Sequence, residues 1–114
     1  MILATIRLPV ATARVDDVLR TIRTTLEPTR VETGCLEFLC TRDVEDPNTL
    51  LILGKWSTES NFRRHVQSET FRAILGAFEL ARRQPEISIY HVSSTEGMDS
   101  IRRMREARRG ETTV

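Results

Sequence analysis

From Ile2 to Leu8 (Ile-Leu-Ala-Thr-Ile-Arg-Leu) apolar and polar positions alternate in a run rich in strand formers, which predicts a first β-strand ended by Pro9. From Arg14 to Leu26 the period changes. Val15, Val18, Leu19, Ile22 and Leu26 recur at helical spacing, Asp16 and Asp17 sit where the helix dipole favours them, and Pro28 is expected to stop the helix. Cys35 to Arg42 and Thr49 to Trp56 read as two strands joined by the turn Asp43-Val-Glu-Asp-Pro-Asn48, which makes them an antiparallel hairpin. Ser57 can cap a helix through about Gln67, and Ser68 a second through about Arg83 with Phe71, Ile74, Leu75 and Phe78 on its apolar face. Pro85 ends that helix, Glu86 to Val92 alternates as a fourth strand, and Gly97 separates it from a basic terminal helix.

The order is βαββαβ with its second helix split, followed by an extra C-terminal helix. That is the split-βαβ or ferredoxin-like arrangement of the α+β class, a four-stranded antiparallel sheet with helices on one face. Residues 1–95 form the expected domain and residues 96–114 a basic helical tail. Simple alternation places Leu36, Phe38 and Cys40 on one side of the second strand and Cys35 and Leu39 on the other. In the third strand Leu51 and Leu53 oppose Leu50, Ile52 and Trp56. Both faces of the hairpin are thus largely apolar, whereas helices can cover only one. A second copy of the same sheet is the simplest cover for the other, so a homodimer formed face to face, a dimeric α/β-barrel, is expected.

Composition narrows the classes. At 114 residues, 39% hydrophobic and with a net charge of +1, the chain can bury an ordinary core and has no reason to be disordered. Its 17 basic against 16 acidic side chains give no general attraction to nucleic acid. The arginines between Asp99 and Arg109 lack aromatic platforms beside them, which leaves a solvated or partner-packed helix as the simpler reading. No apolar run reaches the roughly 18 residues of a membrane helix. The start, Met-Ile-Leu-Ala-Thr, carries no basic segment before a long apolar core, so a cytoplasmic protein is expected. Cys35 and Cys40, expected on opposite faces of one strand, cannot bridge and read as small buried hydrophobes.

The chain has no glycine-rich phosphate loop, cysteine–histidine metal pattern or nucleophile elbow, so neither a metal nor a nicotinamide or flavin cofactor is expected. What remains is the stretch from Trp56 to Phe71. Asn61 and His65 lie four apart on one helix and share a face, a spacing that suits proton transfer because imidazole titrates near neutrality. Spacing alone favours a structural histidine, and Trp56 alone reads as core.

The steps Glu32-Thr-Gly-Cys-Leu-Glu-Phe, then Asp46-Pro47, then Trp56 and nine residues later His65-x-x-Ser68-x-x-Phe71 resemble the antibiotic biosynthesis monooxygenase domain family over roughly residues 1–93. The resemblance implies ferredoxin-like subunits that dimerise through their sheets. It leaves the activity open, since the family holds cofactor-independent quinol and anthrone monooxygenases, haem-degrading enzymes and a signal isomerase. The haem-degrading branch uses an Asn on the first strand and a His one turn after the position of Phe71. Here the first strand has no Asn, and Ile74 and Leu75 fill that turn. The quinol-monooxygenase and isomerase branches keep a His where His65 stands. The Tyr and Arg of the anthrone-oxidising members are not matched, the one Tyr being Tyr90.

The expected function is therefore a cofactor-free monooxygenase acting on a small quinol or phenol. His65 is the expected general base and Asn61 orients the substrate, while Trp56, Phe62, Ser68 and Phe71 line its pocket. The rival reading is a non-catalytic dimeric module for a small hydrophobic or aromatic molecule; isomerase chemistry would need more polar pocket groups. No nucleic acid and no membrane enter either account.

Overall fold

The computed structural model describes residues 1–112. Its strands are β1 (Ile2–Pro9), β2 (Cys35–Arg42), β3 (Thr49–Trp56) and β4 (Glu86–His91). Its helices are α1 (Val15–Arg30), α2 (Glu59–Val66), α3 (Glu69–Phe78) and α4 (Met98–Thr112), with a single 3-10 turn at Thr12–Arg14 before α1. The strands form one antiparallel sheet in the order β2-β3-β1-β4. With α1 following β1, and α2 and α3 following β3, this is the ferredoxin-like α+β fold. In the single chain the sheet is open, with β2 and β4 at its edges.

Paired residues of an antiparallel ladder share a face. Ile2, Ala4, Ile6 and Leu8 of β1 therefore lie on one side with Trp56, Gly54, Ile52 and Leu50 of β3 and with His91, Ile89 and Ile87 of β4. That side meets the helices. Ile6, Leu8, Leu50, Ile52 and Phe38 bury themselves against Val15, Val18 and Ile22 of α1 and Ile74 and Ala77 of α3. The other side carries Leu3, Leu39, Leu51, Leu53 and Tyr90, with the ion pairs Arg7–Asp43 at 2.6 Å and Lys55–Glu37 at 2.9 Å among them. No helix covers it.

Four local expectations are corrected, two of them by contacts from outside their own segment. Pro28 lies inside α1, which runs on to Arg30. Proline deletes one backbone hydrogen bond, a small loss in the last turn of a helix whose Val15, Val18 and Ile22 are fixed in the core. Helix α2 is capped by Thr58 rather than Ser57; the Thr58 side chain accepts the Asn61 N–H. Helix α3 stops at Phe78, well short of Arg83, because Ala81 pairs with Val10 and the Arg82 N–H donates to the Pro9 carbonyl, capturing the chain as an extended segment. A β-bulge between Cys35 and Glu37 breaks the alternation of β2. Cys35 thereby joins Cys40 at the helix-facing core, and Leu36 is left exposed. The two thiols are free, and burial pushes both above their ordinary pKa.

Helix α4 carries an exposed stripe of Met98, Ile101 and Met104, and the molecule measures 58 × 34 × 21 Å. Residues 113 and 114 of the expected tail lie outside the described residues. Among the described residues no helix is long and apolar enough to cross a membrane.

Candidate functional site

The site sits where α2 and α3 meet the sheet. His65 lies in the last turn of the short helix α2 and is 3% exposed, the one fully buried side chain of a helix whose Glu59, Arg63 and Arg64 face solvent. A buried imidazole needs partners, and it has them on every side. Trp56 stacks on the ring at 4.5 Å between centroids, while Phe38 and Phe71 meet it edge-on at 5.7 and 5.2 Å. The Glu32 carboxylate lies 2.9 Å from Nδ1. That pairing fixes the tautomer: Nδ1 carries the proton and donates to Glu32, leaving the Nε2 lone pair for whatever enters beside it. Burial holds the His65 pKa below its ordinary value, the nearby Glu32 charge and hydrogen bond opposing part of that shift.

Glu32 is the residue that sequence reasoning missed as a site member. It was visible only as part of the Glu-Thr-Gly-Cys step, since it meets His65 across 33 positions of chain. The loop that places it is pinned at Gly34, whose φ of +79° suits glycine and whose carbonyl accepts the Ser57 N–H at 2.8 Å. A Cβ there would lie 2.1 Å from the Asn61 amide nitrogen. Glycine thus lets the β2 lead-in press against α2, which brings the carboxylate onto the imidazole.

Beside His65 lies an apolar cavity of about 40 Å³, walled by Trp56, Phe62, Phe71 and Ile74 and floored by the sheet at Ala4 and Gly54. Gly54 is small for a reason: a Cβ there would stand 3.1 Å from the Trp56 indole nitrogen and 3.2 Å from the Phe38 ring. Of the expected site residues, the structure brings together His65, Trp56, Phe62 and Phe71 around this space. Asn61 and Ser68 stand apart from it. Asn61 donates from its amide to Ser57 Oγ at 3.0 Å and lines a separate shallow depression with Glu32, Thr33, Arg64 and Ser68. Ser68 caps α3 by accepting the Phe71 N–H and donates its hydroxyl proton to the His65 carbonyl, so it ties α2 to α3. Among the described residues no three His, Cys, Asp or Glu side chains gather to hold a metal ion.

An antiparallel ferredoxin-like sheet with an acid-paired histidine inside an aromatic cage defines an α+β domain with a histidine-lined apolar cavity. Residues 1–77 match the family model described as antibiotic biosynthesis monooxygenase, and the chain belongs to that family. Among solved structures it is similar to a candidate antibiotic biosynthesis monooxygenase from Deinococcus radiodurans, with a TM-score of 0.78 and 20% identity over 86% of this chain and 98% of that one. A conserved protein from Methanosarcina mazei Go1 gives 0.74 at 25% identity, covering 79% and 90% of the two chains. A further antibiotic biosynthesis monooxygenase gives 0.76 at 21% identity over 82% and 100%. No curated protein sequence matches the chain.

Proposed function

We propose that the chain is a cofactor-independent monooxygenase of a small phenolic or quinol compound, with His65 as general base through Nε2. The observation that supports it most is the Glu32–His65 pair, a base with a fixed tautomer and a lowered pKa facing an apolar cavity. The Glu32 carboxylate supports the imidazolium that forms when Nε2 takes a proton, and the apolar walls exclude water from a reactive anion.

In this scheme Nε2 takes the phenolic proton. The phenolate passes one electron to O2, and phenoxyl radical and superoxide recombine at a ring carbon that bears hydrogen. The peroxide then loses that hydrogen as a proton while its O–O bond breaks. One oxygen stays as the new carbonyl and the other leaves as water, so that phenol and O2 give quinone and water with every electron supplied by the substrate.

The test is oxygen uptake with a panel of naphthols and naphthoquinols, autoxidation subtracted, wild type beside His65→Ala. Uptake that falls by about 10²–10⁴ in the variant supports the reading. Uptake no faster than background across the panel contradicts it and favours the non-catalytic binding module.

The reading extends to assembly. Leu3, Leu39, Leu51 and Leu53 give the uncovered sheet face an apolar centre rimmed by ion pairs, the pattern of a face that meets a second copy. Sedimentation at micromolar concentration is expected to give a dimer, and a monomer would contradict this part of the proposal.

A further inference from the structure

The 40 Å³ space beside His65 is far smaller than the cavity of about 150 Å³ that accepts benzene. A ring can enter only if a wall moves, and the geometry identifies the wall. A second, open cavity of about 280 Å³ lies against Ile2, Phe62, Val66 and Ile89, with Glu59, Arg63 and His91 at its rim. The two spaces follow one another along the same side of the sheet. The first rests on Ala4, Ile6 and Ile87, the second on Ile2, Ile89 and His91, and these are consecutive same-face positions of β1 and β4. Phe62 lines both, on a short helix whose one fully buried side chain is His65.

We infer that the two cavities are parts of one site divided by the Phe62 ring, and that its ligand is an aromatic head carrying an uncharged aliphatic substituent. The head lies beside His65 and the substituent runs out along β4 over Ile2, Val66 and Ile89. Joined, the spaces reach the lower end of the usual size of small-molecule sites, about 300–1,000 Å³. The groove floor is apolar, and the exposure of Val66 (38%) and Ile89 (50%) is what such a ligand would cover. The rim charges Arg63 and Glu59 pair with each other at 3.2 Å and so offset one another, while the floor over Ile2, Val66 and Ile89 is apolar. This inference rests on the proposed function for the head group, and it adds the tail.

The test is calorimetric titration of the full chain under nitrogen with 1-naphthol and its 2-methyl, 2-propyl and 2-pentyl homologues. Affinity is expected to rise by up to about fourfold per added methylene until the groove is filled. The ratio of Kd between naphthol and its pentyl homologue should collapse toward one in Ile89→Asn and in Val66→Asn, two exposed positions whose substitution leaves the core untouched. Binding of naphthol with no dependence on chain length overturns this inference and leaves the proposed function standing. Failure of every homologue to bind overturns both. Variants that alter sedimentation and not the Kd ratio assign the groove to a second copy of the chain, which also overturns it.

Discussion

The helix-facing side of the sheet is closed at one end and open at the other. Over β3 and β2, Leu50, Ile52 and Phe38 are at most 4% exposed beneath the 16-residue α1. Over β4, on the same side of the same sheet, Ile87 and Ile89 are about half exposed, 51% and 50%. The difference comes from the helices. α1 is one long rod, whereas its counterpart is broken at Gln67 and Ser68 into α2 and α3, and the break leaves the β4 flank uncovered. His65 sits at that break. The closed end gives the fold its core, and the cavity lies at the boundary between the two ends, walled by Phe38 and Ile52 from one side and by Ile87 from the other.

The largest effect that separates the two ends is on stability. Leu50→Ala, in the closed half, is expected to cost about 2–5 kcal/mol, since a fully buried side chain away from the cavity is truncated. Ile89→Ala, half exposed on β4, is expected to stay within about 0.5 kcal/mol. Urea denaturation of the two variants beside wild type checks this, and equal losses would mean that both ends are core.

A smaller effect concerns the pair at the boundary. Glu32 meets His65 and does not line the cavity, so under the proposed function it is a positioning residue. Glu32→Gln is expected to lower the plateau of kcat/KM about tenfold. Its acid limb should also move to lower pH, because the carboxylate is what raises the His65 pKa against burial. A limb that stays put or moves upward would show that Glu32 is merely packed there. The same burial makes stability pH-dependent with a definite sign. The folded pKa of His65 lies below the ordinary value of 6.5, so its contribution is present above pH 6.5 and is lost as pH falls through the folded value. The Asp43 and Asp46 carboxyls, hydrogen-bonded to Arg7 and to Thr49 and Arg82, lie below their ordinary 3.8 and act in a separate, more acidic window.

Much of this was written in the local pattern. The four strands and the positions of Trp56, His65 and Phe71 follow from alternation, caps and one run of spacing, because those signals are local. The features that were hidden depend on contacts between distant segments. The end of α3 is set by Val10, the facing of Cys35 by a bulge against β3, and the Glu32–His65 pair by the glycine turn at Gly34. Asn61 shows the converse: its helical spacing to His65 was legible, but Gly34 and Ser57 draw its amide away from the cavity. The uncovered flank at β4 could not be read either, since Ile87 and Ile89 alternate as any core-facing strand does.

The central claim is that His65 is a neutral base held by Glu32 with its Nε2 turned to an apolar cavity. It is tested most directly by nitrogen NMR of the imidazole, titrated from pH 8 to 4 and assigned with His91→Gln, which leaves His65 as the one histidine. The account predicts a ring protonated at Nδ1 and bare at Nε2 at pH 7, gaining its second proton only below pH 6.5. A ring protonated at Nε2, or one already cationic at pH 7, would contradict it.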